Sequence, residues 1–120
     1  HLSIRRQRQM CIRDRRRGVA IARAGRFALG TSAELLLGMP NVVATVVYDS
    51  RRLPSETRLS VRGTNECGRH LGRLMLRIAG RLGGSGGGHR LAAGGIVPST
   101  RLKEFMRLFV KEIGTNRKRN

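Results

Sequence analysis

The chain has 120 residues, room for one small domain with a modest core, and sets 25 Lys and Arg against 7 Asp and Glu, for a net charge of +18. A balance of that sign and size favours a polyanionic partner, and no apolar run approaches the roughly 18 residues of a membrane span. Two isolated cysteines, Cys11 and Cys67, exclude a disulfide framework and have no Cys or His partner at metal-ligand spacing, which fits a reducing cytoplasm.

Residues 1–17 contain seven arginines and Asp14. They read as a basic arm, but Met10-Cys11-Ile12-Arg13-Asp14 resembles a translated transposon adapter, so this leader is expected to be artefactual or disordered. His1 stands where an initiator Met is expected, and the chain is therefore read as a fragment. With the leader and the tail cations Arg117, Lys118 and Arg119 set aside, residues 18–114 keep +9, and the case for a polyanion holds.

Val19 to Arg26 is rich in Ala and Arg and reads as helical or disordered. Thr31 or Ser32 caps a helix running to Leu37, which Gly38 and Pro40 stop. Residues 42–48 are β-branched and almost wholly apolar, the pattern of a strand covered on both faces. Asp49 to Glu56 is a connecting loop. Over Thr57–Gly63, Thr57, Leu59 and Val61 share one face and Arg58, Ser60 and Arg62 the other.

Residues 69–82 carry apolar residues at helical spacing from Leu71 to Leu82. Arg69, Arg73, Arg77 and Arg81 recur every four residues along another side. Like charges at that spacing weaken a helix by a few tenths of a kcal/mol per pair unless something anionic meets them. The ridge reads equally as a solvated face or as a nucleic-acid contact. His70, beside the helix start, reads as incidental.

Gly83-Gly84-Ser85-Gly86-Gly87-Gly88-His89 follows, then Ala92-Ala93-Gly94-Gly95. A loop stripped of side chains exposes backbone N–H groups and can wrap a phosphate closely. A strand from Ala92 to Val97 ends at Pro98, and Ser99 or Thr100 caps a last helix closed by Gly114. Phe105 and Phe109 lie on its apolar stripe and read as core, as does Tyr48. The order helix–strand–strand–helix–strand–helix predicts an α/β (α+β) domain, a small sheet of three to five strands with helices packed on it. The expected limits are a leader over 1–17, a domain over 18–114 and a basic disordered tail over 115–120.

The glycine run with its His and the Ala-Ala-Gly-Gly resembles the signature of the DHH-associated C-terminal domain, the substrate-binding half of DHH-family phosphoesterases. Ser60-Val61-Arg62-Gly63-Thr64 matches that family's Ser-x-Arg element. The Arg-Gly-Thr variant and Ala28-Leu29-Gly30-Thr31-Ser32-Ala33 look most like archaeal RecJ-type single-strand exonucleases. The resemblance spans about residues 25 to 114.

It implies that the N–H groups of Gly86, Gly87 and Gly88 receive a substrate phosphate. It also implies that His89 contacts the phosphate being cut and that Ser60 and Arg62 hold a neighbouring one. Arg69, Arg73 and Arg77 are candidate backbone contacts. The partners implied are single-stranded DNA or RNA and a catalytic half holding Mn or Mg, and no cofactor or membrane is expected for this chain. The Asp-His-His element of the family is absent, so the chain is expected to be inactive alone. Two other readings stay open: a phosphodiesterase acting on short oligonucleotides or cyclic dinucleotides, and the tRNA-binding terminal domain of alanyl-tRNA synthetases.

Overall fold

The computed structural model describes residues 12–14, 18–24, 29–50 and 53–119, with 12–14 and 114–119 described by backbone alone. The strands are β1 (Ile12–Asp14), β2 (Val19–Arg23), β3 (Ala44–Asp49), β4 (Glu56–Gly63), β5 (Ser85–Gly88) and β6 (Ala92–Pro98). The helices are α1 (Leu29–Leu37), α2 (Leu71–Arg81) and α3 (Leu102–Arg119). The sheet runs β1-β2-β3-β4-β6-β5, with β2 and β3 parallel and every other pair antiparallel. This is the expected α/β class: five strands of the domain and one three-residue edge strand.

Two helical layers sandwich the sheet. On one face α1 sets Ala33 and Leu36 against Ala20, Ala22, Ala24, Val42 and Val47. On the other, α2 and α3 bring Leu71, Met75, Ile78, Phe105, Phe109 and Ile113 onto Val46, Leu59, Val61 and Val97. Phe105 and Phe109 are fully buried, their rings stacked at 5.8 Å, so both are core as the stripe predicts.

Several expectations are corrected. Val19–Arg23 is a buried strand, neither helical nor disordered. It lies inside the sheet beside β3, and its alanines alternate onto the face under α1, where small side chains let that helix approach. Packing here overrides the helix propensity of Ala. Ile12–Asp14, placed in the leader, pairs with β2 at the sheet edge; the rest of 1–17 lies outside the described residues.

Helix α1 begins at Leu29, so Thr31 and Ser32 sit within it instead of capping it. Ser99 does not cap the last helix either; its hydroxyl bonds the Thr57 hydroxyl at 2.8 Å, which in turn meets Ser50 at 2.6 Å. The last helix passes Gly114 and stays helical to Arg119, through the expected tail.

The glycine run is not a loop throughout. Gly83 takes φ +87°, its N–H donates to Gly80 O at 3.2 Å, and the Gly84 N–H donates to Ala79 O at 2.8 Å. That is a Schellman cap, so the first two glycines close α2. Ser85–Gly88 is then an edge strand paired with β6. A Cβ on Gly86 would lie 2.9 Å from Met75 O, and one on Gly72 would collide with Gly88 O. The helix therefore rests directly on the backbone of β5, which only glycine permits.

Candidate anion site on the open sheet face

Register alone assembles the site. Antiparallel pairing sets Arg62 opposite Ala92, and the His89 N–H donates to Ala92 O at 2.8 Å one step beyond the β5–β6 ladder. The next row is Ser60, Gly94 and Gly87; the one after is Arg58, Ile96 and Ser85. Directly opposed residues of a sheet share a face, and rows two residues apart are about 7 Å apart. All three rows lie on the face away from α2 and α3.

The middle row carries one side chain, the Ser60 hydroxyl, and a Cβ on Gly87 would meet nothing within 4 Å. The result is a trough with a backbone floor. One wall holds Arg62 and ends at the His89 turn. The other holds Arg58 and Ile96. Helix α1 covers the same face over β2 and β3 and closes the trough at its Ser60 end. A Cβ on Gly30 would lie 2.5 Å from Arg62 Nη2 and 4.0 Å from Ser60 Oγ.

Arg62 Nη1 donates to Ser60 Oγ at 3.0 Å, Val61 O at 2.9 Å and Ala93 O at 3.5 Å. These acceptors are all neutral. The guanidinium is half-buried and lies against the first turn of α1, the positive end of that helix. A cation there raises the local potential instead of offsetting it. An anion bound between them would relieve this and accept charge-assisted bonds from the Arg62 fork and the Ser60 hydroxyl. Gly30, which sequence reading used only as part of a resemblance, matters because it makes room for Arg62.

The first turn of α2 offers no such site. The Leu71 N–H donates to Arg90 O at 2.8 Å, the Gly72 N–H to His89 O at 2.9 Å and the Arg73 N–H to His70 Nδ1 at 3.1 Å. His70, read as incidental, is thus the N-cap of α2. The same bonds fix the His89–Arg90 turn, so the exposed His89 imidazole stands on a rigid backbone. In the ladder, His89–Ala92 is a bonded pair, so Gly87 spends its N–H on Gly94, while Gly86 and Gly88 direct theirs to the outer edge. A strand sends successive N–H groups to opposite sides, so the three glycines do not point together as a loop would allow.

The arginine ridge is divided. Arg69 and Arg77 both pair with Glu112 of α3, at 3.1 and 3.4 Å. The anion they required is internal, and it ties α2 to α3 on the side of the sheet remote from the trough. Arg73 is exposed between them. Among the described residues no three His, Cys, Asp or Glu side chains come together as a metal site, and no helix is long and apolar enough to cross a membrane.

Fold and site together define a small α/β domain with a cationic, glycine-floored sheet face. Residues 20–115 match the family model of the DHHA1 domain, and the chain belongs to that family, the domain associated with DHH-family phosphoesterases. No curated protein matches it. Among solved structures it is similar to a pGpG-specific phosphodiesterase, PggH, from Vibrio cholerae: 12% identity, TM-score 0.70, covering 95% of this chain and 39% of that one. It is also similar to an exopolyphosphatase-related protein from Bacteroides fragilis, at 14% identity and TM-score 0.66, over 97% of this chain and 35% of that one. The C-Ala domain of Aquifex aeolicus alanyl-tRNA synthetase gives 14% identity and TM-score 0.61, over 80% of this chain and 88% of that domain. At these identities the likeness is one of fold, and this chain spans well under half of the first two proteins.

Proposed function

We propose that this domain holds the phosphodiester backbone of single-stranded nucleic acid for a DHH-type phosphoesterase, in the manner of the RecJ-like exonucleases that its motifs resemble. The observation that carries the reading is Arg62. It is half-buried, bonded among the described residues only to neutral acceptors, and set at the positive end of α1 beside an open backbone floor. Arg62 and Ser60 seat one phosphate. The outward N–H groups of Gly86 and Gly88 and the imidazole of His89 meet a second at the edge of β5. Such contacts position a strand without reading its sequence. Cleavage chemistry belongs to a catalytic half with its divalent metal, for which the described residues of this chain offer no ligand cluster.

A second reading, a short-oligonucleotide phosphodiesterase, is favoured by the size of the trough. Three strands wide and three rows long, it measures about 10 by 14 Å, room for two or three nucleotides. The tRNA-binding reading has support from the C-Ala likeness in fold only.

Fluorescence anisotropy with an oligothymidylate, competed by a 5′-phosphorylated dinucleotide, tests the proposal. Affinity is expected to fall with salt at a log–log slope of about −0.7 per phosphate neutralised. Binding unaffected by salt would refute the phosphate reading. Equal competition per molecule by the dinucleotide would select the short-substrate reading.

A further inference from the structure

The wall of the trough opposite Arg62 is not accounted for by phosphate binding. Among the described residues only three large hydrophobic side chains are exposed: Leu53, Leu76 and Ile96. Leu53 precedes β4 in a loop, and Leu76 lies on the outer side of α2. Ile96 is different. It sits at 36% exposure in β6, a strand with neighbours on both sides, so it is open because no helix among the described residues covers this part of the face. Its cross-strand partners on the same face are the exposed Arg58 and Ser85.

An apolar flank beside a guanidinium, one row from a phosphate floor, has the chemistry of a nucleobase seat. A base offers a flat apolar face and polar edges. A guanidinium stacks on such a plane, and a branched aliphatic side chain packs against it. The row lies about 7 Å from the Ser60–Gly94–Gly87 floor, within the reach of a sugar carrying its base away from a bound phosphate. Gly94 and Gly87 leave that path clear, since neither has a side chain to block it. The positive charge of Arg58 also suits a ligand whose backbone is anionic.

We infer that Arg58 and Ile96 form a nucleobase seat, so that the trough grips a nucleotide by its phosphate at Arg62 and Ser60 and by its base at the opposite wall. The inference rests on the phosphate reading above. Besides the Arg58 guanidinium, the row carries the Ser85 hydroxyl and, across to β3, the buried carboxyl of Asp49.

The test uses the full chain and two oligomers of equal length and equal phosphate number, an oligothymidylate and its abasic counterpart, followed by fluorescence anisotropy. Ile96→Ala should weaken oligothymidylate binding by about fivefold and leave the abasic oligomer within about twofold. Arg58→Lys keeps the charge and loses the plane, so it should show the same selectivity. Ile96→Phe, which widens the stacking surface, should tighten only the base-bearing oligomer. Equal loss for both oligomers, or no change for either in Ile96→Ala and Ile96→Phe, overturns the base seat while leaving the phosphate site standing. A wild-type chain that binds neither oligomer overturns the phosphate reading and this one with it.

Discussion

Gly30→Ala separates a role in binding from a role in folding. The added Cβ would lie 2.5 Å from Arg62 Nη2 and 3.6 Å from Cζ. Ordinary contact needs about 3.5 Å, so the guanidinium must retreat by about 1 Å. It can do so, because it is the free end of a flexible side chain. The retreat disturbs the bonds of Nη1 to Ser60 Oγ at 3.0 Å and Val61 O at 2.9 Å. Each is worth about 0.5–1.5 kcal/mol, partly recovered from water at this half-buried position.

Against that loss, replacing Gly by Ala in a helix gains up to about 1 kcal/mol. The two effects nearly cancel in stability. They do not cancel in binding. Moving the fork takes at least one charge-assisted bond to phosphate, worth about 1.5–3 kcal/mol, out of range, so affinity should fall about 10- to 150-fold. Gly80→Ala is the control, since a Cβ there meets nothing within 4 Å. Thermal melting and anisotropy on the three proteins read both quantities. Gly30→Ala melting within a few degrees of wild type and binding as tightly would refute the placement of Arg62 in the site.

Gly87→Ala should fold normally, because its Cβ position is open, and bind oligonucleotide more weakly, because that space is the trough floor; anisotropy and melting check it. Ser32 Oγ is buried without a hydrogen-bond partner among the described residues, so Ser32→Ala should stabilise by about 1 kcal/mol in urea melts. Glu112→Gln loosens the pairing to Arg69 and Arg77, whose side chains are 31% and 55% exposed; it should cost under about 1 kcal/mol, the difference shrinking in high salt, and leave oligonucleotide affinity unchanged. Phe105→Ala empties a fully buried site and should cost about 3–5 kcal/mol, visible as a large drop in urea midpoint.

Amphipathic pattern made much of the fold legible. The stripes of α2 and α3 and the alternation of β4 place their residues in the core as read. What failed was local propensity where tertiary packing decides. Ala20, Ala22 and Ala24 look like helix formers, yet they are small because α1 lies on them. The glycines of 83–88 look like a phosphate loop, yet most answer to α2: Gly83 and Gly84 cap it and Gly86 and Gly88 lie beneath it. Only Gly87 faces the trough, a distinction that depends on strand pairing and that no one-dimensional pattern carries.

The geometry of the candidate site was legible in part. Ser60 and Arg62 share a face by simple alternation, and the structure brings them together. Arg69 and Arg77 could not be separated from a binding surface without knowing that Glu112, more than thirty residues away, meets both. The capping role of His70 did have a signal, since it stands one residue before the apolar stripe begins. Arg58 shares the face of Ser60 and Arg62 by the same alternation, but its adjacency to Ile96 had no signal, because the register of β4 and β6 sets it.

The most direct test of the phosphate site is an amide and guanidinium chemical-shift titration of the full chain with a single-stranded oligothymidylate. Shifts are expected at Gly30, Ser60, Gly86, Gly87, Gly88 and His89 and at Arg62 Nε, with Arg69 and Arg77 unmoved. Shifts confined to the outer side of α2 and α3, with the Gly87 and Arg62 signals unchanged at saturation, would contradict the phosphate site.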